Sequence, residues 1–218
     1  MDGVLIDTES ICAIAWAKSA DMLGVADIEA TTKGCIGLNA EDTKAYFLTK
    51  YGTDFDYETF REASSRRFYE IAERDGVAVM AGVYELMASL KEQGYRIGLA
   101  SSSRMESVKK HMTQANLLQY FEVLVTGDMV THSKPEPEIY LLACEKMGIK
   151  PEEAYAIEDS LNGVRSAYAA GMKVIMIPDL VPPTKEIGAM LTGCFESLGA
   201  FGDTYIQPPS KGMTCPVK

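Results

Sequence analysis

The spacing of apolar residues from residue 9 to about residue 75 predicts helices only. A first helix is predicted over Glu9–Leu23, with Thr8 at its N-cap and Gly24 as the residue that ends it. Two more helices are predicted in this stretch, one from after Asn39 to near Gly52 and one from after Asp56 to Gly76. The first third of the chain is therefore expected to form a helical unit.

After residue 80, helices alternate with short apolar strands. The predicted strands are residues 95–100, 121–126, 154–158 and 173–177. This alternation is typical of a parallel sheet with helices on both faces. The sequence therefore predicts an α/β fold with a Rossmann-like parallel sheet and an inserted all-α unit. We expect residues 1–8 and 77–201 to form the α/β unit, residues 9–76 the helical unit, and residues 202–218 a polar tail.

The start of one helix in the α/β part has a specific pattern. Ser103 is followed three positions later by Glu106, which is the spacing of a capping box. In that motif the two side chains accept hydrogen bonds from main-chain N–H groups that have no partner inside the helix. We therefore expect the helix to open at Ser103 and to turn Met105, Val108 and Met112 inward.

Charge and composition narrow the class of partner. The 218 residues include 21 Lys or Arg and 31 Asp or Glu, which gives a net charge of −10. A chain this acidic is not expected to bind nucleic acid or an anionic membrane as its main partner. No apolar stretch approaches the roughly 20 residues that span a bilayer, and no secretory signal is present at the start, so we expect a cytoplasmic protein. The five cysteines have no paired spacing, which predicts neither a zinc site nor a disulfide framework.

Polar residues follow three of the predicted strands, at the edge of the sheet where ligands of α/β proteins bind. Ser101, Ser102 and Ser103 supply hydroxyl and main-chain N–H groups, which suit a phosphate oxygen. Lys134 supplies a positive charge. The adjacent pair Glu158–Asp159 supplies carboxylate oxygens, which favour Mg²⁺ over zinc or copper. Together these loops predict a phosphoryl-transfer site.

Each of these residues also has a structural explanation when it is taken alone. Ser101 can cap the helix that follows it, and Asp159 and Ser160 lie where a helix N-cap is expected. Lys134 follows a predicted strand, and lysines at such positions are usually solvated. The single motifs therefore leave both interpretations open.

The order of the motifs resembles that of the haloacid dehalogenase superfamily, and most closely its phosphatases and phosphomutases of the β-phosphoglucomutase type. Four segments carry the resemblance: Asp2 to Glu9, Ala100 to Ser103, Lys134 to Tyr140, and Glu158 to Gly163. Each lies at or near a predicted strand end, and together they span most of the chain. The helical unit corresponds to the cap domain that these proteins insert after the first motif.

The resemblance implies a role for each motif residue. Asp2 would be the general acid and base, and its main-chain carbonyl would contact the metal. Ser101 and the N–H of Ser102 would hold the transferring phosphoryl group, and Lys134 would neutralise its charge. Asp159, with Glu158 beside it, would bind Mg²⁺.

The chain departs from the family pattern at its first motif. That motif begins with a nucleophilic aspartate two positions before the acid and base, and Met1 occupies the intervening position. Two explanations are open: the natural protein starts further upstream, or the chain is a truncated relative that has lost the covalent step. We favour the first, because the other motifs are intact and the loss of a central strand would leave its neighbours with unpaired main-chain groups.

The substrate is expected to be a small phosphorylated metabolite such as a sugar phosphate. The segment from Lys33 to Asp42 resembles the specificity loop of the cap, and Ala40 stands where the sugar phosphomutases have an arginine that grips a second phosphate. Without that arginine, water becomes the expected acceptor, which favours a phosphatase over a mutase. Lys33, Lys44 or Arg67 are alternative partners for a second phosphate, so the mutase remains open. A non-catalytic phosphate-binding protein is the third alternative.

Overall fold

The computed structural model describes residues 1–35, 38 and 40–206. Three positions of the expected specificity loop, residues 36, 37 and 39, lie outside the described residues, and so do residues 207–218 of the expected tail. In the described part of the chain, helices come first and parallel strands follow.

The amino-terminal part is helical, as the apolar spacing predicts. Its helices are α1 (Glu9–Leu23), α2 (Ile28–Cys35), α3 (Ala40–Tyr51) and α4 (Tyr57–Asp75), which we call the helical lobe. The bounds of α1 match the prediction, and Gly24 ends it in the left-handed conformation with its N–H on the Ala20 carbonyl. The short α2 was not predicted. The lobe packs around Phe47, whose fully buried ring lies edge-on to Trp16.

The rest of the described chain has the predicted alternation of helices and parallel strands. The strands are β1 (Gly98–Ser101), β2 (Val123–Thr126), β3 (Tyr155–Glu158), β4 (Lys173–Met176) and β5 (Gly193–Cys194). The helices are α5 (Val83–Glu92), α6 (Met105–Gln114), α7 (Glu138–Met147), α8 (Leu161–Ala169), α9 (Lys185–Gly188) and α10 (Leu198–Tyr205). The α/β class is therefore confirmed.

The parallel strands form two sheets. Strand β1 pairs with β2, so that Ser101 lies opposite Thr126, and the second sheet has the order β3-β4-β5. Among the described residues, β1 and β3 therefore have one strand neighbour each. Apolar side chains from the sheets and the helices fill the space between them, with Leu99 of β1 and Ile175 of β4 in one core cluster.

Two expectations about element ends are wrong. Helix α6 begins at Met105 with Arg104 at its N-cap, so no capping box forms at Ser103. The Ser103 hydroxyl donates instead to the Asp2 carboxylate at 3.2 Å. The start of the expected tail is also misplaced, because α10 continues to Tyr205 and both Phe201 and Ile206 are buried. The apolar side chains of this last helix pack against α5 and the surrounding core cluster, so the helix belongs to the core.

None of the helices in the described ranges has the length and apolar character needed to cross a bilayer.

Candidate active site

A cavity of about 370 Å³ lies between the helical lobe and the carboxyl ends of β1 and β3. Its lining includes Asp2, Ser101, Ser102, Lys134 and Asp159, which come from four separate segments of the chain. The structure thus brings together five of the six residues that the sequence marked. The sixth, Glu158, lies beneath the wall of the cavity.

The Asp2 carboxylate is held from both sides by hydroxyl groups. Thr8 Oγ1 donates to Asp2 Oδ1 at 2.5 Å, and Ser103 Oγ donates to Asp2 Oδ2 at 3.2 Å. Thr8 itself makes no N-cap hydrogen bond to α1. The residue expected to cap the helix therefore serves to orient Asp2.

Ser101 ends β1 and is 2% exposed. Its Oγ accepts a hydrogen bond from the Ser103 N–H at 3.2 Å, which turns the chain sharply after the strand. Gly127 permits this turn, because a Cβ at that position would overlap the Ser102 carbonyl oxygen. The turn leaves Ser101 and the exposed Ser102 at the cavity.

Lys134 and Glu158 form a buried ion pair. Lys134 Nζ lies 2.5 Å from Glu158 Oε1 and 5.1 Å from the centre of the Tyr140 ring. The Tyr140 hydroxyl also donates to Glu158 Oε1, and Ser160 Oγ donates to Oε2 at 3.3 Å. Burial alone would raise the pKa of Glu158, but the charge of Lys134 and the hydrogen bonds from Lys134 and Tyr140 hold it below its ordinary value.

These contacts change the interpretation of Glu158. The resemblance implies a metal ligand, yet its carboxylate is 4% exposed, does not line the cavity and is already occupied by Lys134, Tyr140 and Ser160. Gly163 closes the remaining side, since a Cβ there would overlap the carboxylate. In this structure Glu158 contacts Lys134, and Asp159 is the member of the pair that faces the cavity.

The Asp159 carboxylate lies against Gly3, where the left-handed backbone (φ +68°) leaves no room for a Cβ. Burial, followed by the neighbouring Glu158 charge, raises the pKa of Asp159 to about 7. No side chain in the described part of the chain donates a hydrogen bond to it. The Asp159 carboxylate is therefore an oxygen donor at the cavity that is available to a cation.

The oxygen atoms around Asp2 and Asp159 fit a magnesium ion. Mg²⁺ prefers carboxylate and carbonyl oxygens and keeps several waters, so it needs few protein ligands. Within residues 1–35, 38 and 40–206, the Asp159 carboxylate has a hydrogen bond from its own main-chain N–H and none from a side chain, and no main-chain N–H outside helices and strands donates to the Asp2 carbonyl. These residues hold no cluster of three His, Cys, Asp or Glu side chains.

Other side chains that line the cavity were not predicted from the sequence as site residues. They include Thr8, Glu9, Cys12, Trp16, Phe68 and His111. Burial and the charges of Asp2, Asp179 and Asp7 raise the pKa of Glu9 to about 7. Ser107 and His111 both line the cavity at a spacing of four residues on α6, which places them on one helix face and is a signal that the sequence contains.

The family model described as haloacid dehalogenase-like hydrolase matches residues 1–177 of the chain. The fold and the converging motifs agree with this match, and the chain belongs to the haloacid dehalogenase-like hydrolase family.

Relatives extend the comparison. The chain is 30% identical over 179 residues to a phosphorylated carbohydrates phosphatase of Thermotoga maritima, covering 80% of this chain and 81% of the relative. It is 31% identical over 182 residues to hexitol phosphatase B of Escherichia coli, covering 82% and 81%. A crystal structure of a variant of CbbY from Rhodobacter sphaeroides in complex with xylulose-(1,5)bisphosphate matches with a TM-score of 0.77, 26% identity and 93% coverage of each chain.

Proposed function

We propose that this protein is a Mg²⁺-dependent phosphatase that hydrolyses a small phosphorylated carbohydrate through an aspartyl-phosphate intermediate. The observation that carries the proposal is the convergence of Asp2, Ser101, Ser102, Lys134 and Asp159 on one cavity. In this proposal the helical lobe is the cap of residues 9–76, which encloses the substrate against the α/β unit.

Ser101, Ser102 and Lys134 would bind the transferring phosphoryl group. The Ser101 hydroxyl and the Ser102 N–H supply hydrogen bonds, and Lys134 supplies a positive charge at a site from which protein excludes much of the water. Removing one such preorganised donor typically costs about 3–4 kcal/mol of transition-state stabilisation. Glu158 limits the motion of Lys134, so that its charge is in place before the substrate arrives.

Asp2 would move the protons. When the nucleophile attacks phosphorus and the bond to the leaving oxygen breaks, the Asp2 carboxyl group gives its proton to that oxygen. Water then attacks the aspartyl-phosphate, and the Asp2 carboxylate takes a proton from it as phosphate leaves. The family resemblance puts the nucleophilic aspartate at the position immediately before Met1, at the end of the strand that would lie between β1 and β3.

Asp159 and the main-chain carbonyl of Asp2 would hold the metal. When bound, Mg²⁺ offsets the negative charge of the phosphate and of the carboxylates around it. Asp159 fits this role because burial and Glu158 make its ionised form costly without a cation. Gly3 keeps the Asp159 carboxylate against the chain that carries Asp2.

Two observations favour a carbohydrate phosphatase over a mutase. Relatives that cover about four fifths of the chain are named for phosphorylated carbohydrates and hexitols. Ala40 lines the cavity where the resemblance puts the arginine of the mutases, and the cavity lining in the described ranges includes none of Lys33, Lys44 and Arg67. Lys33 instead forms an ion pair with Glu29, and Lys44 forms one with Glu58.

The proposal is tested by hydrolysis of sugar phosphates by the chain extended upstream to include the expected strand and aspartate. We expect turnover that requires Mg²⁺ and that Asp159→Asn reduces at least about 100-fold, while the exposed control Asp203→Asn keeps it. Equal hydrolysis by both variants contradicts the metal assignment. Transfer of phosphate to a second sugar instead of water identifies a mutase, and phosphate binding without turnover identifies a non-catalytic protein.

A further inference from the structure

Buried polar groups without partners are rare, and in this protein they cluster near the cavity. Among the described residues, three buried side-chain atoms have no hydrogen-bond partner: Ser19 Oγ, Ser64 Oγ and His111 Nδ1. Two of these side chains, those of Ser64 and His111, border the cavity system described next. An unpaired buried polar atom costs about 1–3 kcal/mol, so one at each of two adjoining compartments suggests a missing partner that binds there.

The second compartment of this system lies inside the helical lobe. It has a volume of about 340 Å³ and shares Cys12, Trp16 and Ala40 with the cavity at the strand ends. Its walls are mostly aromatic and small side chains, including Phe60, and Ser64 of α4 lies among them. The two compartments are therefore adjoining spaces, one at Asp2 and one at Ser64.

We propose that Ser64 and His111 bind hydroxyl groups on the carbon chain of the substrate, so that the protein selects a phosphorylated polyhydroxy compound that extends from Ser101 into the helical lobe. This inference rests on the proposed function. His111 lies near the reaction end, on the helix face that carries Ser107, and Ser64 lies in the far compartment.

The described buried polar side chains without a partner at the two compartments are Ser64 and His111, whereas the cations beside the second compartment are engaged by one carboxylate. Among the described residues that line it, Arg61 is the one Lys or Arg, and its Nε donates to Glu58 Oε2 at 2.8 Å. Lys44 donates to the other oxygen of the same carboxylate at 2.9 Å. His111 is 6% exposed and packs 6.2 Å from the Phe68 ring centre, and burial lowers its pKa, which favours a neutral imidazole that donates and accepts hydrogen bonds.

The pattern of apolar walls and a few placed polar groups is that of a specific small-molecule site. The aromatic surfaces pack against the carbon chain, and the two polar side chains distinguish a hydroxylated chain from a bare one. A site built to hydrogen-bond a hydroxyl rejects an analogue that lacks it, because the polar groups of the site are then left unpaired.

The experiment measures binding of three probes to the full chain by calorimetry in magnesium buffer. The probes are inorganic phosphate, sorbitol 6-phosphate, and hexyl phosphate, which has the same chain length without hydroxyls. For both Ser64→Ala and His111→Leu, we expect roughly 3- to 10-fold weaker binding of sorbitol 6-phosphate and unchanged binding of the other two.

Ser19→Ala is the matched control. It removes the same kind of buried, unpartnered hydroxyl from α1, at a residue that does not line either compartment, and we expect it to change the affinity for none of the probes. Ser64→Ala and Ser19→Ala should both raise the melting temperature of the free protein, because each removes an unpaired buried hydroxyl. Weaker binding by Ser64→Ala would then come from a lost contact with the ligand and not from a less stable fold.

The outcomes separate this inference from the proposed function. If sorbitol 6-phosphate binds equally to the parent and to both variants while phosphate still binds, or if Ser64→Ala weakens hexyl phosphate as much as sorbitol 6-phosphate, the hydroxyl assignment is overturned and the phosphatase proposal stands. If inorganic phosphate does not bind to the parent protein, the phosphate site itself is overturned. If a variant fails to fold, the test is the relative affinity of the parent protein for sorbitol 6-phosphate and hexyl phosphate. Equal affinity of the parent for these two probes overturns the inference.

Discussion

Lys134 Nζ and Glu158 Oε1 lie 2.5 Å apart, with side chains that are 10% and 6% exposed. The cation that faces the proposed phosphoryl site is therefore fixed from behind by the carboxylate that the sequence suggested as a metal ligand. This pair joins the third motif to the fourth and makes the position of Lys134 depend on the end of β3.

Loss of one partner from this pair should destabilise the fold. Lys134→Met leaves the Glu158 charge buried without its ion partner, so we expect the free energy of unfolding to fall by about 3–5 kcal/mol in urea titrations. The exposed pair Lys33–Glu29 is the control, and Lys33→Met should cost about 1 kcal/mol or less. The double variant Lys134→Met/Glu158→Gln should recover part of the loss, and equal costs for the two single lysine variants would contradict the buried-pair account.

Gly3 should be far less tolerant of substitution than Gly24, although the two have nearly the same positive φ angle. Their φ angles are +68° and +70°, but a Cβ at Gly3 would overlap Asp159, whereas nothing lies within 4 Å of one at Gly24. Gly24→Ala carries only the left-handed backbone strain of about 1–2 kcal/mol, and Gly3→Ala adds displacement of Asp159. Thermal unfolding of the two variants should show the larger loss for Gly3→Ala, and similar losses would mean that Gly3 and Asp159 are not in contact.

The hydroxyl of Thr8 should matter to turnover through Asp2. In the chain extended upstream, we expect Thr8→Val to lower kcat about 10-fold with little change in KM, because Asp2 loses the hydrogen bond that orients it. Thr8→Ser retains the hydroxyl and should keep most of the activity. Steady-state kinetics with a sugar phosphate make this comparison, and a loss for the serine variant equal to that for valine would assign the effect to packing.

Stability should fall as the pH rises through 7 because of Glu9. Burial first, and then Asp2, Asp179 and Asp7, raise the pKa of Glu9 from its ordinary value of 4.5 to about 7 in the folded protein. The folded state therefore holds a proton that the unfolded state has lost, so this contribution is present below pH 4.5 and is lost as the pH rises to about 7.

Glu9→Gln should remove this pH dependence. In urea titrations with EDTA, we expect the variant to be more stable than the parent by about 1–2 kcal/mol at pH 8 and to match it near pH 4. Glu70→Gln, at an exposed position on α4, serves as the control and should follow the parent at both values. A parent and a Glu9→Gln variant with parallel pH profiles would refute the account of Glu9.

The sequence predicts best where local signals and burial agree. Helix α1 has an apolar face and a terminal glycine, and its bounds Glu9–Leu23 match the prediction. Helix α2, Ile28–Cys35, contains two threonines and a glycine, and its helical state depends on packing against α1 and α3, so apolar spacing alone did not indicate it. Helix α10 was missed because the polar composition after residue 201 conceals the burial of Phe201 and Ile206.

The sequence indicated which residues meet at the candidate site, but not which of them bind to one another. Residue types and strand ends mark Ser101, Lys134 and Asp159 as candidates, the family resemblance favours their functional interpretation, and the three residues meet at the cavity. The bond from Glu158 to Lys134 joins residues 24 positions apart, so residue type alone does not reveal it. A glutamate that binds a metal and a glutamate that pairs with a lysine look identical in the sequence. Only the packing of β3 against the loop that carries Lys134 distinguishes the two roles.

The account depends most directly on where a phosphate ion and a magnesium ion bind. Crystals of the chain grown with magnesium chloride and sodium phosphate test this. The account predicts a phosphate within hydrogen-bonding distance of Ser101 Oγ and Lys134 Nζ, with a magnesium ion on Asp2 and Asp159. Phosphate bound only at another surface, with water alone beside these four residues, would contradict it.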